Sequence, residues 1–245
     1  MRAVDCDYYT DAITYTKVTI LETFATSGPD DAAGEGRGEA PAPAGGIRSH
    51  GDVHVVTRVV GFKKIKFYTN ENVGSGELDL PEQQMHTSSY WLTIPSAVMS
   101  GLPYGSDDKR DGVIGLAFAM RNVAQLLLMC DGHDIGLSVD GGALDRAART
   151  GGAAGRPAAL AVAPDIFIYD NYPGGIGFSR PLYDMHLILL DRTRELVGGC
   201  PCESGCPSCV GPEGNTGPHA KAVALLILES LLREPAVARA ELASS

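Results

Sequence analysis

No stretch of about 18 consecutive apolar residues occurs in the chain. The longest apolar runs, such as Ala222 to Leu228, have the length of core-helix segments. The N-terminus also lacks the basic-then-apolar pattern of a signal peptide. These absences predict a soluble, cytoplasmic chain with no membrane partner. Positive charge is scarce as well. The chain has 20 Lys and Arg against 30 Asp and Glu, for a net charge of -10. Phosphate binding rests on cations that neutralise the backbone, so this balance excludes a protein that coats nucleic acid over its whole surface and leaves only a local basic face. No Gly-Lys-Ser/Thr P-loop ending is present, and no histidine sits in a local motif that would orient it as a catalytic base.

What remains is an ordinary globular composition, 44% apolar over 245 residues, enough for a real core. The fold class expected is α+β: a β-rich N-terminal unit at residues 1–95, then a mixed α/β domain at 96–233 that holds a cysteine loop between two helices, and a frayed tail at 234–245. In the first unit, Ile13 to Phe24 is β-branched and aromatic with a rough period of two, which reads as a strand. Residues 27–51 are mostly Gly, Ala, Pro and Asp and cannot bury enough apolar surface to order themselves, so they read as a flexible insertion between paired strands. Asp52 to Val60 and Phe62 to Thr69 are separated only by Gly61, which predicts one long strand with a kink or bulge. Thr87 to Ile94 is a further strand.

From Asp111 to Cys130 the period becomes helical, with Val113, Leu116, Ala117, Met120, Val123, Ala124, Leu127 and Leu128 on one stripe. A second Gly/Ala-rich segment, 141–159, reads as another flexible insertion, and Asp165 to Asp170 as a short buried strand. Ser179 is placed to cap a helix that Gly198 and Gly199 stop, and Pro218 opens a last helix. No internal repeat is visible.

Three motifs carry chemistry. Cys200, Cys202, Cys206 and Cys209 form a C-x-C-x3-C-x2-C loop rich in Gly and Pro. Four thiolates at this spacing suit one tetrahedral Zn2+, and a shell closed by four protein ligands makes the ion structural. The competing readings are disulfides, disfavoured in a reducing compartment, and an iron-sulfur redox module. The second motif is a glycine-rich turn, Asp170, Gly174, Gly175 and Gly177, between a strand end and a helix start. It reads as a tight packing turn or, alternatively, as the phosphate cradle of a stand-alone nucleotide-binding enzyme. The third is a basic run, Arg58, Lys63, Lys64 and Lys66, interleaved with Phe62, Phe67 and Tyr68, which is either a solvated strand face or a DNA contact. His186 and His219 read as surface or capping residues. Asp131, His133 and Asp134 suggest either a second metal site or a helix end.

Taken together, Asp170, the Pro-Gly-Gly-x-Gly turn, the helix after it and the cysteine loop resemble the C-terminal zinc-binding domain of mitomycin-repair-factor-like DEAD/DEAH-box helicases of superfamily two. Gly61-Phe62-Lys63-Lys64, Leu78-Asp79-Leu80-Pro81-Glu82 and Ser89-Tyr90-Trp91 look like the stretch that precedes that domain, so the resemblance spans most of residues 52–232. It implies an accessory region of an ATP-dependent, 3′-to-5′ DNA translocase in DNA repair, with the four cysteines as zinc ligands and single-stranded DNA as partner. The sequence departs from the family in having no Walker A lysine, no DEAD/DEAH box and no arginine finger. Either the motor is supplied by another chain or by a part of the protein outside this sequence, or the chain is a standalone relative, and the chain alone is expected to be non-catalytic.

Overall fold

The computed structural model describes residues 6–27, 46–69, 71–140, 163–211 and 217–233. Six antiparallel strands and five helices are described: β1 (Tyr8–Ser27), β2 (Ile47–Lys66), β3 (Asn72–Glu77), β4 (Gln83–Thr93), α1 (Ser96–Gly101), α2 (Ser106–Leu128), β5 (Ile135–Val139), β6 (Asp165–Asp170), α3 (Ser179–Asp184), α4 (His186–Gly199) and α5 (Ala220–Leu232). This is the expected α+β class, with the cysteine loop between two helices.

The strands make one sheet in the order β1-β2-β4-β6-β5, with β3 added to the end of β2. The sheet crosses residue 95, because β4 pairs with β6, Tyr90 opposite Ile168. Of the expected insertion 27–51, residues 28–45 lie outside the described residues, whereas 47–51 belong to β2 and pair with both β1 and β4. The insertion 141–159 and the tail 234–245 also lie outside them.

The kink anticipated at Gly61 is a bulge. Ile13 faces Gly61 and Thr14 faces Val59, so Val60 has no opposite number in β1. Two further bulges in β1, at Leu21 and Phe24, bend the hairpin again. Between them a Cβ on Gly51 would lie 2.0 Å from the Glu22 carbonyl oxygen, so only glycine fits. These bends curl the sheet until β1 and β5, at opposite ends of the strand order, touch.

Both faces of the central strands are consequently buried. Tyr90, Leu92, Ile166 and Ile168 point into the main core under the helices, while Trp91, Phe167 and Tyr169 point into a second cluster with Val18, Val53 and Val55 inside the curl. Strand alternation sends neighbours to opposite faces, which explains why Asp165 to Asp170 reads as a continuous apolar run.

α2 is the central helix of the other layer. It has the length and apolar content of a membrane span, with half of that window buried inside the protein as in a core helix. Gly112 and Gly115 let its neighbours approach: a Cβ on Gly112 would meet Val223 of α5 at 2.2 Å, and one on Gly115 would meet Val210 of the cysteine loop at 3.0 Å.

Some local expectations are corrected. Ser179 does not cap a helix; it is the first residue of α3 and is buried, and the cap position is Phe178, with no side-chain hydrogen bond. The single helix expected from Ser179 to Gly199 is two, broken at Met185 (φ -91, ψ 14). The break turns His186 inward. It is 2% exposed and its Nδ1 lies 2.7 Å from the Tyr90 hydroxyl, so it is a core residue rather than a surface one. Burial pushes the Tyr90 phenol far above its usual range, which keeps its proton on for that bond.

Candidate metal centre

α4 ends where Cys200 turns to extended backbone (φ -71, ψ 130), and the chain doubles back before α5. Gly205, at φ +144, makes the reversal. A Cβ there would sit 2.5 Å from Val210, so the position needs glycine for both space and backbone. The second half of the loop closes through the Cys206 carbonyl, which accepts the N–H groups of Cys209 (3.0 Å) and Gly211 (3.1 Å). Cys209 and Val210 are fully buried in the main core, so the loop is anchored as well as turned.

The four sulfurs converge. Sγ of Cys200 is 3.5 Å from that of Cys206, Cys202 is 3.4 Å from Cys209, Cys206 is 3.6 Å from Cys209, and all four lie within 4.8 Å of one another. No pair is near the disulfide length of about 2.05 Å, and all are free thiols. Tetrahedral zinc, with Zn–S of about 2.3 Å, places sulfurs about 3.8 Å apart. The donor set therefore fits one Zn2+, and the space between the sulfurs has the size of a single ion rather than of a multi-iron cluster. The thiols differ in readiness. The backbone N–H of Ser208 and the Cys200 side chain draw the Cys206 thiol down to about 7, whereas burial pushes Cys209 up to about 12.

One neighbour was not singled out in the sequence. Lys221, in the first turn of α5, is buried, and its Nζ donates to the carbonyl oxygens of Cys200 (2.7 Å) and Cys202 (2.6 Å). The only visible signal is a lone cation at the apolar head of the helix, Ala220-Lys221-Ala222-Val223.

The glycine-rich turn has a different job. Asp170 is 1% exposed, and its Oδ2 accepts N–H groups from Ile176 (2.7 Å), Gly177 (2.8 Å) and Phe178 (3.2 Å) as well as the Ser88 hydroxyl (3.2 Å). The N–H of Gly174 goes to the His86 carbonyl and that of Gly175 to the Tyr172 carbonyl. Gly174, Gly175 and Gly177 all have positive φ. The amides that would cradle a phosphate are thus already satisfied by a resident carboxyl group and two carbonyls. The turn packs strand against helix, with these five amides engaged inside the protein.

The basic run is divided by the pleat and the bulge. Arg58 and Lys63 line one groove of about 760 Å³ with Glu77 and Asp79, and Arg58 pairs with Asp79 at 2.5 Å. Lys64 lies on the opposite face, its ammonium 5.1 Å from the centre of the Tyr8 ring, and Lys66 shares its parity at the strand end. Tyr9, paired with Ile65 and so on the face of Lys63, is in ring contact with Phe67 at 5.6 Å, and Tyr68 projects fully into solvent at φ 70. The acidic residues after α2 form a turn: Asp131 binds both the N–H and the ring of His133, and Asp134 receives the Tyr172 hydroxyl. His219 precedes α5 and pairs with Asp108.

Comparison with known proteins places this geometry. Residues 116–210 match the family model of the MrfA Zn-binding domain (MZB). The uncharacterised ATP-dependent helicase YprA of Bacillus subtilis is 32% identical over 213 residues, which is 87% of this chain and 24% of that protein. An uncharacterised protein of Methanocaldococcus jannaschii is 42% identical over 45 residues, 18% of this chain and 40% of that protein. Among solved structures, the DUF1998 helicase MrfA bound to DNA is similar over 93% of this chain and 26% of its own, with TM-score 0.59 and 31% identity. A further structure of the DUF1998 helicase MrfA shares the fold at TM-score 0.52 and 22% identity, over 88% of this chain and 24% of that one. The chain thus spans about a quarter of the length of these helicases. With all four cysteines inside the matched segment, residues 116–210 belong to the MrfA Zn-binding domain family.

Proposed function

We propose that the chain is a zinc-stapled accessory region of an ATP-dependent DNA helicase, holding single-stranded DNA or supporting the motor rather than hydrolysing ATP. The observation that carries this reading is the similarity of nearly the whole chain to a quarter of the MrfA helicase, a protein solved bound to DNA. The motor motifs absent from this sequence would belong to the remaining three quarters of such a protein or to a separate chain. DNA repair and 3′-to-5′ polarity come with the same reading.

The contact surface proposed is the end of the β1–β2 hairpin. Lys64 and Lys66 lie there on the face of Tyr8, Lys63 and Arg58 lie on the other face of β2, which the exposed rings of Tyr9 and Phe67 share, and Tyr68 projects from the strand end. Cations that follow the backbone and rings on which bases stack are the two components of sequence-tolerant single-strand binding. On a chain of net charge -10 their gathering at one end supports a local contact.

The test is fluorescence anisotropy of zinc-loaded chain with labelled single-stranded and duplex oligonucleotides across a salt series. Binding should favour the single strand and weaken with salt, and replacing Lys63, Lys64 and Lys66 together by Ala should flatten the log–log salt slope by about 2, at roughly 0.7 for each phosphate no longer neutralised. Absence of binding at low salt, or an unchanged slope in the triple variant, would remove this surface from the proposal.

A further inference from the structure

Long cationic side chains are almost never fully buried unless they are paired. Lys221 is 8% exposed, yet none of the ion pairs among the described residues involves it. The carbonyls of Cys200 and Cys202 satisfy two of its three N–H donors but supply dipoles, not a counter-charge. A buried cation left without an anion is strongly destabilising. Its position deepens the problem. Lys221 stands in the first turn of α5, where the helix dipole presents its own positive end and disfavours a cation. Two positive features are therefore crowded together at one place in the interior.

Both are answered if the neighbouring centre is an anion. Four thiolates carry two more negative charges than one Zn2+ neutralises, and the carbonyls that grip the ammonium belong to two of the four ligand residues. We infer that Lys221 is the counter-ion and positioning residue of the metal centre, an inference that rests on the four-thiolate reading of the loop. Its two hydrogen bonds fix the extended Cys200-Pro201-Cys202 segment, so that both sulfurs face one point. Outer partners of this kind orient ligands and tune affinity in metal sites generally. The same bonds join the head of α5 to the loaded loop, so the helix docks most firmly when metal is present.

The experiment uses the full chain and begins with the zinc content of the wild type. Zinc affinity is then measured by chelator competition for Lys221→Met, Lys221→Gln and Lys221→Arg. The Co2+-substituted proteins are compared through their sulfur-to-metal charge-transfer band, which reports metal–thiolate bonding rather than general packing. Lys221→Met and Lys221→Gln should bind zinc about 10- to 100-fold more weakly and shift that band, while Lys221→Arg, which keeps the charge, should retain most of the affinity. If Lys221→Met does not fold even in excess zinc, the contrast between Arg and Gln decides. Wild-type affinity and an unshifted band in Lys221→Gln, or equal losses in Lys221→Arg and Lys221→Gln, would overturn the proposal while leaving the metal centre intact. A wild-type chain that takes up no metal would overturn the centre itself and the counter-ion with it.

Discussion

Identical side chains in one loop acquire different chemistry here from their immediate surroundings. Cys206 has a backbone N–H aimed at its sulfur and titrates near 7, so at pH 8 it is largely thiolate; Cys209, in the core, stays protonated up to about 12. Because the thiolate is the nucleophile, chelator-treated protein at pH 8 should lose Cys206 first and Cys209 last to an alkylating reagent. The reaction of Cys206 should slow as pH falls below about 7, and zinc should protect all four. Peptide mapping by mass spectrometry at timed quenches reads the order; uniform labelling of Cys206 and Cys209 would contradict it. The ligand types and spacing were fully legible in the sequence, since four cysteines between Cys200 and Cys209 need no tertiary context. Lys221 and His186 were not, because what decides their role is a partner far along the chain: carbonyls about twenty residues back for the first, and Tyr90 for the second.

Elements with a strong internal period were legible for the same reason. The apolar stripe of α2 and the bulge near Gly61 follow from local pattern alone, whereas β3 and β5, only 6 and 5 residues long, carry too little pattern to be recognised before their neighbours are known. The break at Met185 was hidden because the apolar residues on either side continue the same spacing. Gly112 shows how tertiary contact can reverse a local preference. Alanine is favoured over glycine by about 1 kcal/mol inside a helix, so Gly112→Ala should stabilise an isolated α2. In the folded chain its methyl group would enter Val223, and overpacking of this kind costs typically about 1–3 kcal/mol. Gly112→Ala is therefore expected to lower the urea midpoint, and Gly112→Ala combined with Val223→Ala to recover part of it. A midpoint at or above wild type in the single variant would mean that α2 and α5 pack with more slack than the structure indicates.

At the scale of the whole molecule, two kinds of long-range order meet: a curled sheet that closes β1 toward β5, and a helical layer fastened by the metal loop. The basic, aromatic end of the hairpin was visible in the sequence. That Arg58 shares a face with Lys63, five residues on, was not, since it depends on the parity change at the Val60 bulge. The cysteine loop differs from the sheet in how far apart its partners lie along the chain. All its ligands fall between residues 200 and 209, while β4 must find β6 across some seventy intervening residues. Closing a short loop carries little entropic cost, and long-range strand pairing is slow. Zinc should therefore be captured while the sheet is still open, setting α4 and α5 together as a preformed surface on which later strands assemble. Stopped-flow refolding from urea is expected to be faster in the presence of zinc than with chelator, with the gain in the folding limb of the chevron. A gain confined to the unfolding limb would mean that the metal arrives only after the chain has folded.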